Sequence, residues 1–309
     1  MASLTEENKN RIIEEIRELK KSRNAVILAH YYQEGEIQDL ADFVGDSLQL
    51  AQQAAKTEAD VIVFCGVHFM AESAAILSPE KIVLLPDEKA GCPMADMIDA
   101  QMLREEKERI PGVKVVCYVN SSAEVKAESD VCCTSSNAEK IIKAVPEEEI
   151  LFVPDGNLGK YIAAQTGKRL HFWPGFCPTH HNLRREDILQ KRAEYPQAEV
   201  LVHPECREEV WREADYVGST AGIIRYARES DSKEFIIGTE CGILHQLQKG
   251  CPDKVFYLAS RVLLCPNMKK ITLQKVRDSL YGLSPRITVS EEIANKAIHA
   301  LEQMLSLSK

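Results

Sequence analysis

Three Cys-Pro pairs stand at Cys92-Pro93, Cys177-Pro178 and Cys265-Pro266, at intervals of 85 and 88 residues. Cysteine thiolates ligate zinc and iron–sulfur clusters, so three in one register point to a metal centre. Two other sets keep the same period. His30-Tyr31-Tyr32, Tyr118-Val119-Asn120 and His203-Pro204-Glu205 supply acids, bases and hydrogen-bond donors suited to proton transfer. Gly45-Asp46-Ser47, Thr134-Ser135-Ser136 and Gly218-Ser219-Thr220 supply hydroxyls, with Ser47, Ser135 and Ser219 spaced by 88 and 84 residues. A lone hydroxyl at a helix start is ordinary N-capping. Three such loops in register read instead as anion-binding positions, where hydroxyls and free N–H groups hold carboxylate or phosphate. Three landmarks with one period define an internal repeat.

The repeat also sorts the ten cysteines. Cys251 precedes a proline as well, but it lies before the strand signal at 254–258, whereas the other three follow the last strand of their repeats. Cys65, Cys117 and Cys206 lie in or just after strand runs, where free cysteine behaves as a small buried hydrophobe. Cys132, Cys133 and Cys241 sit near strand ends and are explained by packing. No CxxC or similar tight cluster occurs, so zinc ribbons and ferredoxin-type sites fit badly. Structural zinc fills four positions, whereas a [4Fe–4S] cluster held by three cysteines leaves one iron open as a Lewis acid. The cluster is the better reading, with zinc as the competing metal. His180 and His181 follow Cys177 closely and are candidates to touch a substrate beside it. His68, His171, His245 and His299 read as structural.

Strand signals in threes must position these residues. Short apolar runs occur at 25–29, 113–119 and 198–202, at 61–64, 150–153 and 235–237, and at 81–85, 168–173 and 254–258. Helical segments at 47–56, 71–77, 137–144, 158–165, 220–229 and 242–249 separate them. Near-continuous apolar strands alternating with helices predict α/β domains with buried parallel sheets and right-handed crossovers. The expected fold is three homologous three-layer αβα domains with short parallel sheets, in a pseudo-threefold arrangement around a central cavity. Ligands in such units bind at the carboxyl ends of the strands, where every landmark falls. The expected limits are an N-terminal helix over 1–22, repeats over 23–103, 104–190 and 191–272, and a C-terminal helical segment over 273–309 packing back on the first repeat.

Composition narrows the function class. A formal net charge of -9 argues against a nucleic-acid surface. No apolar run reaches the ~18 residues of a membrane span, and the first 22 residues read as an amphipathic helix with Ile12, Ile13, Ile16 and Leu19 on one face. A cytoplasmic protein with free thiols is expected, with no membrane partner.

From Arg23 to Leu273 the sequence resembles the quinolinate synthase family, the A protein of bacterial and archaeal NAD biosynthesis. The resemblance rests on AHYYQ (29–33), GDS (45–47), GCPM (91–94), YVN (118–120), TSSNA (134–138), CPTH (177–180), HPE (203–205), GST (218–220) and CPNMKK (265–270). It implies a [4Fe–4S] cluster bound by Cys92, Cys177 and Cys265, one from each domain, with one iron open to substrate. It implies substrate contacts from His30, Ser47, Tyr118, Asn120, Ser135, His203, Glu205 and Thr220, with Tyr32, His180 and Ser219 close by. The implied reaction condenses iminoaspartate with dihydroxyacetone phosphate to quinolinate, releasing phosphate and two waters. An L-aspartate oxidase or aspartate dehydrogenase is the expected upstream source of iminoaspartate.

Within that reading, Tyr32 and Glu205 are the candidates for proton transfer, and His30 and His203 orient or polarise carbonyl and carboxylate oxygens. The hydroxyl loops hold the triose phosphate and then the product carboxylates, and the open iron takes the hydroxyl lost in the last dehydration. Some family members carry a CxxC pair at the third ligand; here the stretch reads Cys265-Pro266-Asn267-Met268, so that redox switch is expected to be absent. Two rivals share parts of the pattern: an aconitase-like iron–sulfur hydro-lyase, and a non-catalytic protein stapled by its metal.

Overall fold

The computed structural model describes residues 5–308, so residues 1–4 of the expected first helix and residue 309 lie outside it. Three four-stranded, wholly parallel sheets repeat one topology. The first contains β1 (Ala25–His30), β2 (Phe43–Gly45), β3 (Val61–Cys65) and β4 (Ile82–Leu84), in the order β2-β1-β3-β4. The second contains β5 (Lys114–Tyr118), β6 (Val131–Cys133), β7 (Ile150–Val153) and β8 (Leu170–Phe172), in the order β6-β5-β7-β8. The third contains β9 (Glu199–Val202), β10 (Tyr216–Val217), β11 (Glu234–Gly238) and β12 (Val255–Leu258), in the order β10-β9-β11-β12.

The nine expected strand runs all form strands. The fourth strand of each sheet, β2, β6 or β10, was not expected: it spans only two or three residues and sits at an edge. An apolar run that short carries no readable period. Cys132 and Cys133, expected near a strand end, lie within β6 and are fully buried. One acid marks each missed strand. Asp42, Asp130 and Asp215 accept the backbone N–H of Ile27, Val115 and Val200 at 2.8, 2.7 and 2.7 Å. Each carboxylate thereby pairs a main-chain donor of the inner strand just before the edge strand begins.

Burial explains the strand composition. Every residue of β3 and β7 is buried, as sheets covered on both faces require. Each fully buried Ile, Leu or Phe in these strands contributes about 1.5–3 kcal/mol through apolar burial. The helices then set the strand-end groups. Asp46 caps Ser47–Lys56 in a capping box with Gln49, and Ser219 caps Thr220–Glu229 by accepting the Gly222 N–H at 3.1 Å. Helix Gly156–Thr166 is capped by Asp155 and stops at Gly167, whose φ of 69° suits a residue without a side chain.

Residues up to Cys92 and Pro266–Glu291 form one compact unit; Pro93–Cys265 and the chain from Glu292 form another. In the first, helix Glu6–Ser22 buries Ile12 and Ile16 and packs on helix Leu273–Gly282. In the second, helix Glu291–Leu307 buries Ala297, Ala300, Leu301 and Met304, and Asn137 donates to the Ser308 hydroxyl beyond it at 2.7 Å. Among the described residues no helix is long and apolar enough to cross a membrane.

The loop that carries Cys177 is tied to the end of β7. Gly175 pairs with Asp155, and its carbonyl accepts the Gly156 N–H at 2.8 Å. A Cβ on Gly175 would lie 2.4 Å from the Pro154 carbonyl oxygen, a backbone atom that cannot swing away. Gly175→Ala is therefore expected to destabilise the chain by about 1–3 kcal/mol, the range for overpacking. Urea denaturation checks this, and an unchanged midpoint would contradict it.

Candidate active site

The second and third sheets lie in the second unit, and their strand ends meet around one carboxylate. Glu205 follows β9 and is 3% exposed. Tyr118, the last residue of β5, donates its hydroxyl to Glu205 Oε1 at 2.6 Å. His180 Nδ1 lies 2.6 Å from Glu205 Oε2 and 3.3 Å from Cys177 Sγ. The His180 and His203 rings stack with centroids 4.6 Å apart. His203 Nε2 faces the Ser135 hydroxyl at 3.1 Å. Six of the expected positions, Cys177, Tyr118, Ser135, His180, His203 and Glu205, thus form one connected network.

Backbone geometry fixes the histidine tautomer. The Glu205 N–H donates to His203 Nδ1 at 3.3 Å, so the ring proton sits on Nε2, toward Ser135. The first unit repeats the turn: the Tyr32 N–H donates to His30 Nδ1 at 3.1 Å, with the two rings edge to face at 4.5 Å. His30-Tyr31-Tyr32 and His203-Pro204-Glu205 are therefore the same local structure, as their register predicts.

The electrostatics of the pair follow from burial and proximity. Burial opposes the charge on Glu205, but the neighbouring histidines and the hydrogen bonds from His180 and Tyr118 outweigh it, holding its carboxyl well below the usual range. Burial pushes His203 down to about 3, only partly offset by Glu205, so the ring is neutral at pH 7. Asp155, fully buried beside them, is pushed well above the ordinary carboxylate range by burial first and then by the charge of Glu205.

A pH dependence follows in the metal-free chain. His203 has a depressed folded value, so between about pH 3 and 6.5 the unfolded chain binds a proton that the folded one does not. Stability contributed by His203 is thus present above 6.5 and lost on acidification, by about 2 kcal/mol between pH 7 and 5. Glu205, also depressed, adds a loss only below its ordinary 4.5. Urea midpoints at the two pH values should show this extra loss in the wild type and not in His203→Asn. An equal loss in both proteins would contradict it.

The remaining expected positions fall at strand or helix ends. Asn120 follows β5, and its buried Oδ1 has no hydrogen-bond partner among the described residues. Ser219 and Thr220 open helix Thr220–Glu229, and the Ser219 hydroxyl serves as its cap. Ser135 lies before the helix it was expected to start, since Asn137 is the flanking residue of Ala138–Ala144. In the first unit His30 ends β1, Tyr32 is in the following turn, and Ser47 opens its helix.

Each Cys-Pro pair leads into one helical turn: Ala95–Met97 after Cys92, Pro178–His181 after Cys177, and Met268–Lys270 after Cys265. Cys92, Cys177 and Cys265 are partly exposed; apart from Cys241, all other cysteines are buried. Burial pushes the Cys65 thiol up to about 12 and raises Cys132, Cys133 and Cys206 well above their ordinary value, which keeps them as inert thiols. Cys117 is drawn down to about 7, because Cys132, Lys126 and nearby hydroxyls offset its burial, yet it too is wholly enclosed. Partial exposure thus sets the three Cys-Pro cysteines apart from the enclosed thiols, and Cys177 lies with His180 and Glu205 in a group able to hold a metal ion.

Four polar residues that complete the site were missed. Asp155 accepts the N–H groups of Asn157 and Leu158 at 2.8 and 3.0 Å. Asn157 donates to the Glu205 carbonyl at 3.1 Å and faces His181 Nδ1 at 3.0 Å. Thr239 Oγ1 lies 2.9 Å from His180 Nε2. Fully buried Glu240 accepts the Cys265 N–H at 3.1 Å and the Gly242 N–H at 2.7 Å. All four lie within four residues of the end of β7 or β11, so the strand-end rule, applied to the second run of each repeat as well as the first, locates them.

Comparison with known proteins gives a consistent result. The family model described as "Quinolinate synthetase A protein" matches residues 14–306. A protein named quinolinate synthase from Desulforudis audaxviator (strain MP104C) is 57% identical over 297 residues, covering 96% of this chain and 98% of its own length. Proteins of the same name are 54% identical in Methanosarcina barkeri, covering 96% of this chain and 97% of that one, and 56% identical in Dehalococcoides mccartyi (strain CBDB1), covering 95% and 97%.

Proposed function

The chain belongs to the quinolinate synthetase A protein family, and from this membership we propose that it condenses iminoaspartate with dihydroxyacetone phosphate to quinolinate, with loss of phosphate and two waters. The observation that carries the reading is the buried Glu205 carboxylate, joined to Tyr118 by a short hydrogen bond and through His180 to Cys177. The carboxylate is in place to accept a proton once substrate displaces the hydrogen bonds from Tyr118 and His180 that now hold it ionised. Cys92, Cys177 and Cys265 are the residues proposed to hold a [4Fe–4S] cluster, which when bound supplies an iron able to act as a Lewis acid toward a carboxylate or hydroxyl oxygen.

The chain's own residues divide the rest of the work. Glu205 takes and returns protons, with the Tyr118 hydroxyl fixing one oxygen. Neutral His203 presents Nε2–H toward Ser135, a donor pair for a carbonyl or carboxylate oxygen. Asn120 offers a buried acceptor for an imine or amine hydrogen. Ser219 and Thr220 stand at a helix N-terminus, where phosphate and then a product carboxylate are stabilised. His30, Tyr32 and Ser47 supply the matching groups of the first unit, with Tyr32 as a second acid–base. An L-aspartate oxidase or aspartate dehydrogenase is the reaction class that supplies iminoaspartate.

The test is an anaerobic assay of the reconstituted protein with both substrates. Quinolinate and phosphate are expected to appear in equal amounts. Dehydration of hydroxy acids without any quinolinate would overturn the reading in favour of a hydro-lyase.

A further inference from the structure

The Cys177, His180 and Glu205 side chains come together outside any contact with Cys92 or Cys265 that the hydrogen bonds above describe. Their ligand atoms all lie within 4.8 Å of one another, and His180 and Glu205 are buried. We infer that, in the cluster-free chain, these three residues form a mononuclear site for a divalent ion of the zinc class. Thiolate, imidazole and carboxylate are ordinary zinc donors, and three of them leave a fourth tetrahedral position for water.

The spacing supports this. Tetrahedral bonds of about 2.0–2.3 Å place ligand atoms roughly 3.3–3.6 Å apart. Cys177 Sγ and His180 Nδ1 are already 3.3 Å apart. Glu205 Oε2, at 2.6 Å from Nδ1, needs to swing outward by less than about 1 Å to admit the ion.

Outer partners support the two donors once an ion enters. Thr239 Oγ1 faces His180 Nε2 at 2.9 Å and can accept a proton there, so an ion that displaces the Nδ1 proton now donated to Glu205 leaves the ring in the Nε2–H form with Nδ1 as ligand. The Tyr118 hydroxyl occupies Glu205 Oε1, leaving Oε2 as the ligand oxygen. His203 does not compete, because its Nδ1 accepts the Glu205 N–H. The inference does not depend on the cluster, and it has a consequence for it: an ion here occupies Cys177 and competes with cluster assembly.

Cobalt(II), a spectroscopic substitute for zinc, tests the site in metal-free full-length protein under anaerobic conditions. One equivalent is expected to bind with a thiolate charge-transfer band. Cys177→Ser is expected to abolish that band, and His180→Ala to weaken binding by at least tenfold. Thr239→Val, which leaves all three ligands in place, should weaken binding by about 10–100-fold, as loss of an outer partner does. Cys92→Ser and Cys265→Ser should bind cobalt within about twofold of the wild type. Absence of cobalt binding, or loss of the band in Cys92→Ser or Cys265→Ser as complete as in Cys177→Ser, would overturn the inference. Reconstitution with iron and sulfide is a separate arm, so failure of the cluster reading and failure of this site give different results.

Discussion

Glu205→Gln is expected to lower turnover of quinolinate formation by about two to four orders of magnitude, the range for loss of a general acid–base group. The substitution keeps the shape of the side chain and an acceptor for the Tyr118 hydroxyl, which now lies 2.6 Å from the carboxylate. What it removes is the charge that the buried site holds ionised beside His180 and His203. Because the lost interaction matters most as protons move, kcat should fall much more than KM changes. Steady-state kinetics of the reconstituted variant check this. A loss of less than tenfold would remove Glu205 from the chemistry and leave it as a packing residue.

The cysteine series gives the second large effect. Cys92→Ser, Cys177→Ser and Cys265→Ser should each lose activity on the order of a thousandfold or more, the several kcal/mol that a Lewis-acidic metal contributes. Iron content should fall in parallel. Cys251→Ser supplies the contrast: it shares the Cys-Pro pattern but caps helix Ile243–Gly250 and is buried. Its thiol lies 4.0 Å from the Ala227 carbonyl, a contact that a serine hydroxyl can replace. Iron content and specific activity of folded Cys251→Ser should stay within about threefold of wild type, the spread of a stability change under about 1 kcal/mol. Equal losses at Cys251 and Cys177 would mean that the repeat register does not identify the ligands.

Much of the fold was legible because buried parallel strands leave near-continuous apolar runs, and β3 and β7 are buried throughout. The edge strands β2, β6 and β10 left no such trace, though Asp42, Asp130 and Asp215 mark them in the repeat register. Of the network around Glu205, the residues Tyr118, Ser135, Cys177, His203 and Glu205 itself were legible because each belongs to a triplicated landmark. The residues that complete it were not, since Asp155, Asn157, Thr239 and Glu240 have no repeated motif to announce them. Their importance comes from burial and from partners far along the chain, such as Glu240 with the Cys265 N–H and Thr239 with His180. His180 shows the same limit. Sequence put it beside Cys177, but only the fold brings it against Glu205 from another repeat.

We propose that Cys92, Cys177 and Cys265 hold a cluster with an iron left for substrate. Anaerobic iron and sulfide analysis combined with EPR of the reduced protein, with and without quinolinate, tests it most directly. About four iron and four sulfide per chain are expected, with a signal that shifts when quinolinate is added, as an iron without a cysteine ligand requires. Zinc in place of iron, no metal after reconstitution, or a cluster signal indifferent to quinolinate would contradict the account.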